Sequence, residues 1–288
     1  MSFHPKVNAA PERLNIVTST SSASSSCDVL IACAPGTCGN VGQLAVDVLA
    51  LNLNLHRVGA VDFEHLVPVT GRDALFDDLA PDDTGAVASA CEVYAGKVIA
   101  ANGDETSVVA VQIRSDANVG ARRVFCKEYV DFITSFASAK RIVLMSSLPS
   151  TYGALESQIG GTKWRRAGGD DAFAEVCDAC ELPELESNVQ APDDDEEPSV
   201  DPHWALVDAL HARDASRRVG CVLAVCAEGD NSADGAGMAL AVARVCGLDI
   251  GKTPKDPVPG VTYIGPWRVP RSWEGAFGLR AARRDMFS

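Results

Sequence analysis

An α/β fold, with a mixed, mostly parallel central sheet flanked by helices, is what this sequence predicts, on three observations. Apolar runs of strand length recur at residues 28–34 (DVLIACA), 141–147 (RIVLMSS) and 218–227 (RVGCVLAVCA), the pattern of strands buried on both faces. Stretches with helical spacing alternate with them, as crossover units require. The chain has 288 residues, 47% of them hydrophobic, enough to bury one sizeable core.

The elements follow in order. Residues 1–26 are serine-rich and lack the apolar segment of a secretory signal, so they are expected to be a disordered leader. A single domain over 27–288 follows. After the first strand, residues 36–49 (GTCGNVGQLAVDVL) read as a glycine turn entering an amphipathic helix, with Val41, Leu44, Ala45, Val48 and Leu49 on its apolar face. Residues 57–63 form a second strand and lead into a Pro/Gly/Asp-rich loop through about Gly85. Residues 88–101 are expected to be a β-hairpin of two short strands folded about Ala95 and Gly96, and 106–115 a longer strand. A helix over 120–139 places Val124, Tyr129 or Val130, Ile133 and Phe136 on one face.

Beyond Thr151 the pattern fades. Residues 181–202 carry four prolines and an acidic run from Asp193 to Glu197, the mark of a solvated, disordered acidic insertion. Helix, strand and helix resume at 203–212, 218–227 and 232–248, and a C-terminal tail occupies 266–288. The net charge of −14 disfavours nucleic acid and anionic membrane as partners. No run reaches the roughly 20 apolar residues of a membrane span, which points to a soluble intracellular protein.

The chemistry-bearing motifs are few. Cys177 and Cys180 form a C-x-x-C, but no second pair stands at zinc-site spacing, so no metal is expected. Cys33, Cys221, Cys226 and Cys246 lie in apolar runs and are read as reduced, buried thiols. The five histidines fit no triad motif, and no catalytic residue is assigned.

Gly36, Gly39 and Gly42 are spaced three apart, without the lysine and Ser/Thr of a phosphate loop. Gly39, Asn40 and Gly42 are therefore read as architectural. A similar turn, Ala227-Glu228-Gly229-Asp230-Asn231, follows the strand at 218–227; Asp230 or Asn231 suits the cap of the next helix, and Glu228 with Asp230 is the alternative acid/base pair. Both turns end strands, so they are candidates to share one sheet edge. The rival function is a nucleotide- or small-molecule-binding enzyme with its cleft there. A further alternative is a scaffold whose acidic loop recruits a basic partner.

The last 23 residues hold five arginines and end in the apolar Met286-Phe287-Ser288, suited to insertion in a partner's pocket or to packing on its own domain. Four ordered stretches, GNVGQLAVDVL, RVGAVDFEHLVPVTG, AEGDN and PWRVPRSWEGAFG, resemble segments of the proteasome assembly chaperone 2 (PAC2) family. The resemblance implies a non-catalytic, cofactor-free chaperone, cytoplasmic and nuclear, that forms a heterodimer with proteasome assembly chaperone 1 and promotes assembly of the 20S proteasome α ring. It also implies that Met286, Phe287 and Ser288 stand where related chaperones and activators carry a hydrophobic–Tyr–any motif for pockets between α subunits. Phe287 departs from that motif by lacking the tyrosine hydroxyl.

Overall fold

The computed structural model describes residues 2–5, 27–75, 78, 87–136, 138–149, 164–185, 206–207, 210, 212, 218–250 and 261–273. Twelve strands are described: β1 (Ser2–Pro5), β2 (Val29–Cys33), β3 (His56–Asp62), β4 (Thr70–Arg72), β5 (Val87–Ser89), β6 (Cys91–Ile99), β7 (Glu105–Ile113), β8 (Arg141–Pro149), β9 (Trp164–Ala167), β10 (Arg218–Cys226), β11 (Tyr263–Ile264) and β12 (Trp267–Arg268). Four α-helices are described end to end: α1 (Val41–Asn52), α2 (Arg122–Thr134), α3 (Asp171–Ala179) and α4 (Ser232–Cys246).

Eight strands form one sheet in the order β1-β3-β6-β7-β2-β8-β10-β9. Its centre, β7-β2-β8-β10, is parallel, and the flanking pairs are antiparallel. This is the mixed α/β sheet that the sequence predicts. Every residue of β2, and of β10 after Arg218, is buried, so both faces of the parallel centre are covered, which explains uninterrupted apolar runs in place of alternation.

Several elements differ from expectation. Residues 91–99 form one strand, not two folded about Ala95 and Gly96; β6 pairs along its full length with β7, from Cys91↔Ile113 to Ile99↔Glu105. The hairpin turn falls instead at residues 100–104, where Asn102 and Asp104 bond locally and Gly103 has φ 88°, the chemistry a tight turn needs. Thr70–Arg72, within the expected loop, pairs with Val87–Ser89, just beyond its end, as a small sheet. The expectation of a structureless leader fails at its start, since Ser2–Pro5 is a strand on the edge of β3; the rest of it lies outside the described residues. So does the acidic insertion from residue 186 onward.

Helix α1 also departs from its reading. Val41 through Leu51 are all buried, including Gln43 and Asp47, so its polar residues face the interior rather than water. On α2 the buried set is Phe125, Tyr129, Val130, Phe132 and Ile133, whereas Val124 points outward. Phe63 meets Phe125, Tyr129 and Phe132 edge-on at 5.4, 5.9 and 5.6 Å, contacts that add to burial in holding α2 down. The expected helix at 203–212 is described at residues 206, 207, 210 and 212, with Leu206, Val207 and Leu210 buried.

Candidate functional site

The two glycine turns meet at the carboxyl ends of the parallel strands. One follows β2, the other follows β10, and β8 lies between them in the sheet. The backbone N–H of Gly39 donates to Glu228 Oε1 at 3.2 Å. Cys38 Sγ donates to the Cys226 carbonyl at 3.6 Å and Cys226 Sγ to the Cys38 carbonyl at 3.4 Å, while the Ser147 hydroxyl donates to the same Cys38 carbonyl. Gly39 and Asn40 have φ of 60° and 53°, and a Cβ on Gly39 would lie 2.1 Å from Asn231 Nδ2. Conformation and close approach both require glycine there. A Cβ on Gly42 would lie 3.1 Å from the Met145 carbonyl and 3.2 Å from Cys33 Cβ, the price in space of seating α1 directly on β2 and β8.

Across the junction, Asn231 Nδ2 donates to the carbonyls of Ala227 and Gly229 at 2.9 and 3.2 Å. Asp230 Oδ1 accepts from the Ser232 N–H at 3.0 Å, a local bond just before α4, while Asn231 at the N-cap position makes no side-chain cap bond. The structure thus brings Gly39, Asn40, Gly42, Glu228, Gly229, Asp230 and Asn231 to one place. A phosphate loop works by aiming free amides at an anion. Here the Gly39 amide already holds the chain's own carboxylate, and a second anion would meet Glu228 instead of a donor. Burial pushes the Cys38 thiol up to about 12, so it is not a ready nucleophile.

A buried charged chain, unforeseen from the sequence, stands beside the turns. Asp73, Arg57, Glu92, Arg114 and Asp47 alternate in sign, joined at 3.4, 2.6, 3.2 and 3.0 Å. Gln112 Nε2 donates to Asp47 Oδ1 and to the Gln43 carbonyl, each at 2.8 Å, and the Tyr94 hydroxyl donates to Glu92 Oε2 at 3.2 Å. These bonds tie α1 to β3, β6, β7 and the segment after β4. In the sequence these residues are scattered singly, so only a correct β3–β6–β7 register reveals that they meet.

His65 makes a surface pairing with α2. Glu128 accepts from the His65 backbone at 3.4 Å and contacts its Nδ1 at 2.8 Å, pinning the segment after β3 to α2. Glu64, His65 and Glu128 have donor atoms within 4.8 Å of one another. Cys177 and Cys180 lie at the end of α3 outside any disulfide, and burial raises Cys177 to about 12; Cys33, Cys221, Cys226 and Cys246 are buried and likewise not in disulfides. Among the described residues, no helix is long and apolar enough to cross a membrane.

The root of the C-terminal tail is firmly held. Trp267, Val269 and Trp273 are buried, and Asn52 on α1 exchanges side-chain bonds with the Arg268 backbone at 2.8 and 3.0 Å. The Asp78 carboxylate accepts from the Arg271 N–H at 2.8 Å and pairs with the Arg268 guanidinium. Residues 274–288, and with them Met286, Phe287 and Ser288, lie outside the described residues.

These features define a class: a layered α/β scaffold whose strand-end turns are closed by its own side chains. A family model described as the PAC2 family matches residues 34–230, about two-thirds of the chain. This protein belongs to the PAC2 family. It is 27% identical over 247 residues to proteasome assembly chaperone 2 of Bos taurus, across 83% of this chain and 88% of that one, and 26% identical over the same shares to the Homo sapiens protein of that name. Its fold is similar to that of Pyrococcus furiosus PbaA, an archaeal homolog of proteasome-assembly chaperone, with a TM-score of 0.56 at 12% identity over 91% of this chain and 87% of that one. It is also similar to P. furiosus PbaB, an archaeal proteasome activator, with a TM-score of 0.54 at 14% identity over 87% and 91%.

Proposed function

We propose that this protein is a proteasome assembly chaperone, active in the cytoplasm and nucleus, that pairs with proteasome assembly chaperone 1 and helps α subunits of the 20S proteasome associate. The observation that carries this reading is its membership of the PAC2 family over residues 34–230, with relatives named proteasome assembly chaperone 2 matching along 83% of the chain. The occupied turn favours the same side of the choice. Glu228 on the Gly39 amide leaves geometry, not ligand capture, as the work of the glycines, so neither catalysis nor a cofactor enters the proposal.

Its working parts are surface and tail. Trp273, buried, and Asp78, bonded to Arg271, hold the chain to the domain up to its last described residue. Met286, Phe287 and Ser288 then act as an anchor for a pocket between α subunits, with ring burial supplying most of the binding. Co-expression of the full chain with tagged α subunits and proteasome assembly chaperone 1 tests the proposal: both co-purify if it holds, and recovery of neither contradicts it. Phe287→Tyr restores one hydroxyl and is expected to tighten α-subunit binding by about 0.5–1.5 kcal/mol. Deleting the last three residues weakens that binding and leaves pairing with the partner chaperone intact, as a titration of each complex would show.

A further inference from the structure

Away from the strand-end turns, one group of side chains has the donor set of a metal centre. Glu64 and His65 follow β3 directly, and Glu128 stands on α2, 63 residues beyond His65. One ligand atom from each, an imidazole nitrogen and two carboxylate oxygens, falls within 4.8 Å of the others. With the imidazole neutral, the group carries two negative charges, which a divalent cation matches. Among the described residues, Glu128 is paired with His65, and Glu64 is in no ion pair.

The backbones that carry these donors are held in place. Asn118 N–H donates to the His65 carbonyl and Val67 N–H to the Asp116 carbonyl, each at 2.8 Å, and Leu66 bridges to Ala117. On the other side, Phe63 packs edge-on against Phe125, Tyr129 and Phe132 of α2, on both sides of Glu128. Donors fixed in advance reduce the ordering cost of binding. The side chains of His65 and Glu128 are 30% and 20% exposed, sheltered yet open to an ion from solvent. Glu64 is exposed and turns without disturbing the core.

His65 Nδ1 and Glu128 Oε1 are 2.8 Å apart, a distance at which one proton lies between them. Zinc bonds nitrogen and oxygen at about 2.0–2.2 Å, so donors arranged tetrahedrally on it stand about 3.3 Å apart. The ion therefore takes the place of that proton by parting the pair about half an ångström, and a rotamer change brings Glu64 in. Magnesium and calcium favour oxygen-only sets, whereas imidazole with carboxylates suits zinc. We propose that Glu64, His65 and Glu128 form a zinc site that clips the segment after β3 to α2, with water in the fourth position.

The untagged full chain, stripped of metal with a chelator and titrated with zinc chloride, tests this. Calorimetry is expected to show zinc binding that Glu64→Gln, His65→Asn and Glu128→Gln each weaken about tenfold or more. The Cys177→Ser/Cys180→Ser variant should bind as the parent does. Glu128→Gln separates a ligand from a purely structural residue, since its amide oxygen still accepts from Nδ1–H while the charge is gone. Zinc should raise the melting temperature of the parent chain by mass action, and magnesium at equal concentration should not. Cobalt(II) on the unmodified chain gives a reading that no folding defect can obscure: visible bands without the near-ultraviolet sulfur-to-cobalt band of a cysteine site. Absence of zinc binding, a sulfur band, an equal response to magnesium, or zinc affinity unmoved in any of the three ligand variants would each overturn the proposal.

Discussion

Asp28 shows how one side chain sets a pH dependence. It accepts from the Ser107 hydroxyl at 2.7 Å, the Ser107 N–H at 3.1 Å and Lys140 Nζ at 3.0 Å. The bonds from Ser107 and then Lys140 hold its carboxyl at about 2, against an ordinary value of 3.8. A folded pKa below the unfolded one gives stability that is present above 3.8 and lost as pH falls to about 2. Asp28→Asn is therefore expected to lower the urea midpoint at neutral pH, with the gap to the parent protein closing through that window; an unchanged gap would refute the assignment. Glu92 gives a larger effect. It is buried between Arg57 and Arg114 at 2.6 and 3.2 Å, and Glu92→Gln leaves two guanidiniums short of a counter-charge, a loss of about 3–5 kcal/mol in unfolding free energy. At this scale the sequence is least legible. Cys33, Cys221, Cys226 and Cys246 read correctly as buried thiols because apolar neighbours surround each one, but Asp47 draws no notice because nothing local announces Arg114, 67 residues away.

At the scale of elements, the parallel centre is legible and its surroundings are not. Residues 28–34, 141–147 and 218–227 are mainly apolar, with no alternation along their interiors, because β2, β8 and β10 are covered on both faces, and that signal survives without context. The hairpin is misplaced because Ala95 and Gly96 resemble a break, whereas Gly96 stays in β6 with Leu55 against it, where a Cβ would lie 3.0 Å from Leu55 Cδ2. Strand β9 and helix α3 escape notice because four residues carry no reliable period and α3 buries only Phe173 and Cys177. Helix packing yields a direct prediction. A Cβ on Gly235 of α4 would fall 2.5 Å from Leu44 Cβ on α1, so the helices cross where one lacks a side chain. Gly235→Ala is expected to cost about 1–3 kcal/mol by overpacking, seen as a lower denaturation midpoint with unchanged slope. A neutral effect would place the crossing elsewhere.

Over the whole molecule, a core of buried aliphatic and aromatic side chains supports turns that bond to each other and a C-terminal segment locked by Trp267, Trp273 and Asp78. Such a body presents a fixed shape, as a protein acting through contact with other polypeptides needs. The glycine turns are architectural on this account because Glu228 occupies the Gly39 amide. Saturating nucleotide should therefore leave the melting temperature unchanged, since a ligand that binds the folded state must raise it. The central claim is tested most directly by the native mass of the chain mixed with proteasome assembly chaperone 1 and α subunits. The account predicts a species containing one copy of each chaperone with α subunits attached; separate masses for every component, at concentrations where their relatives associate, would contradict it.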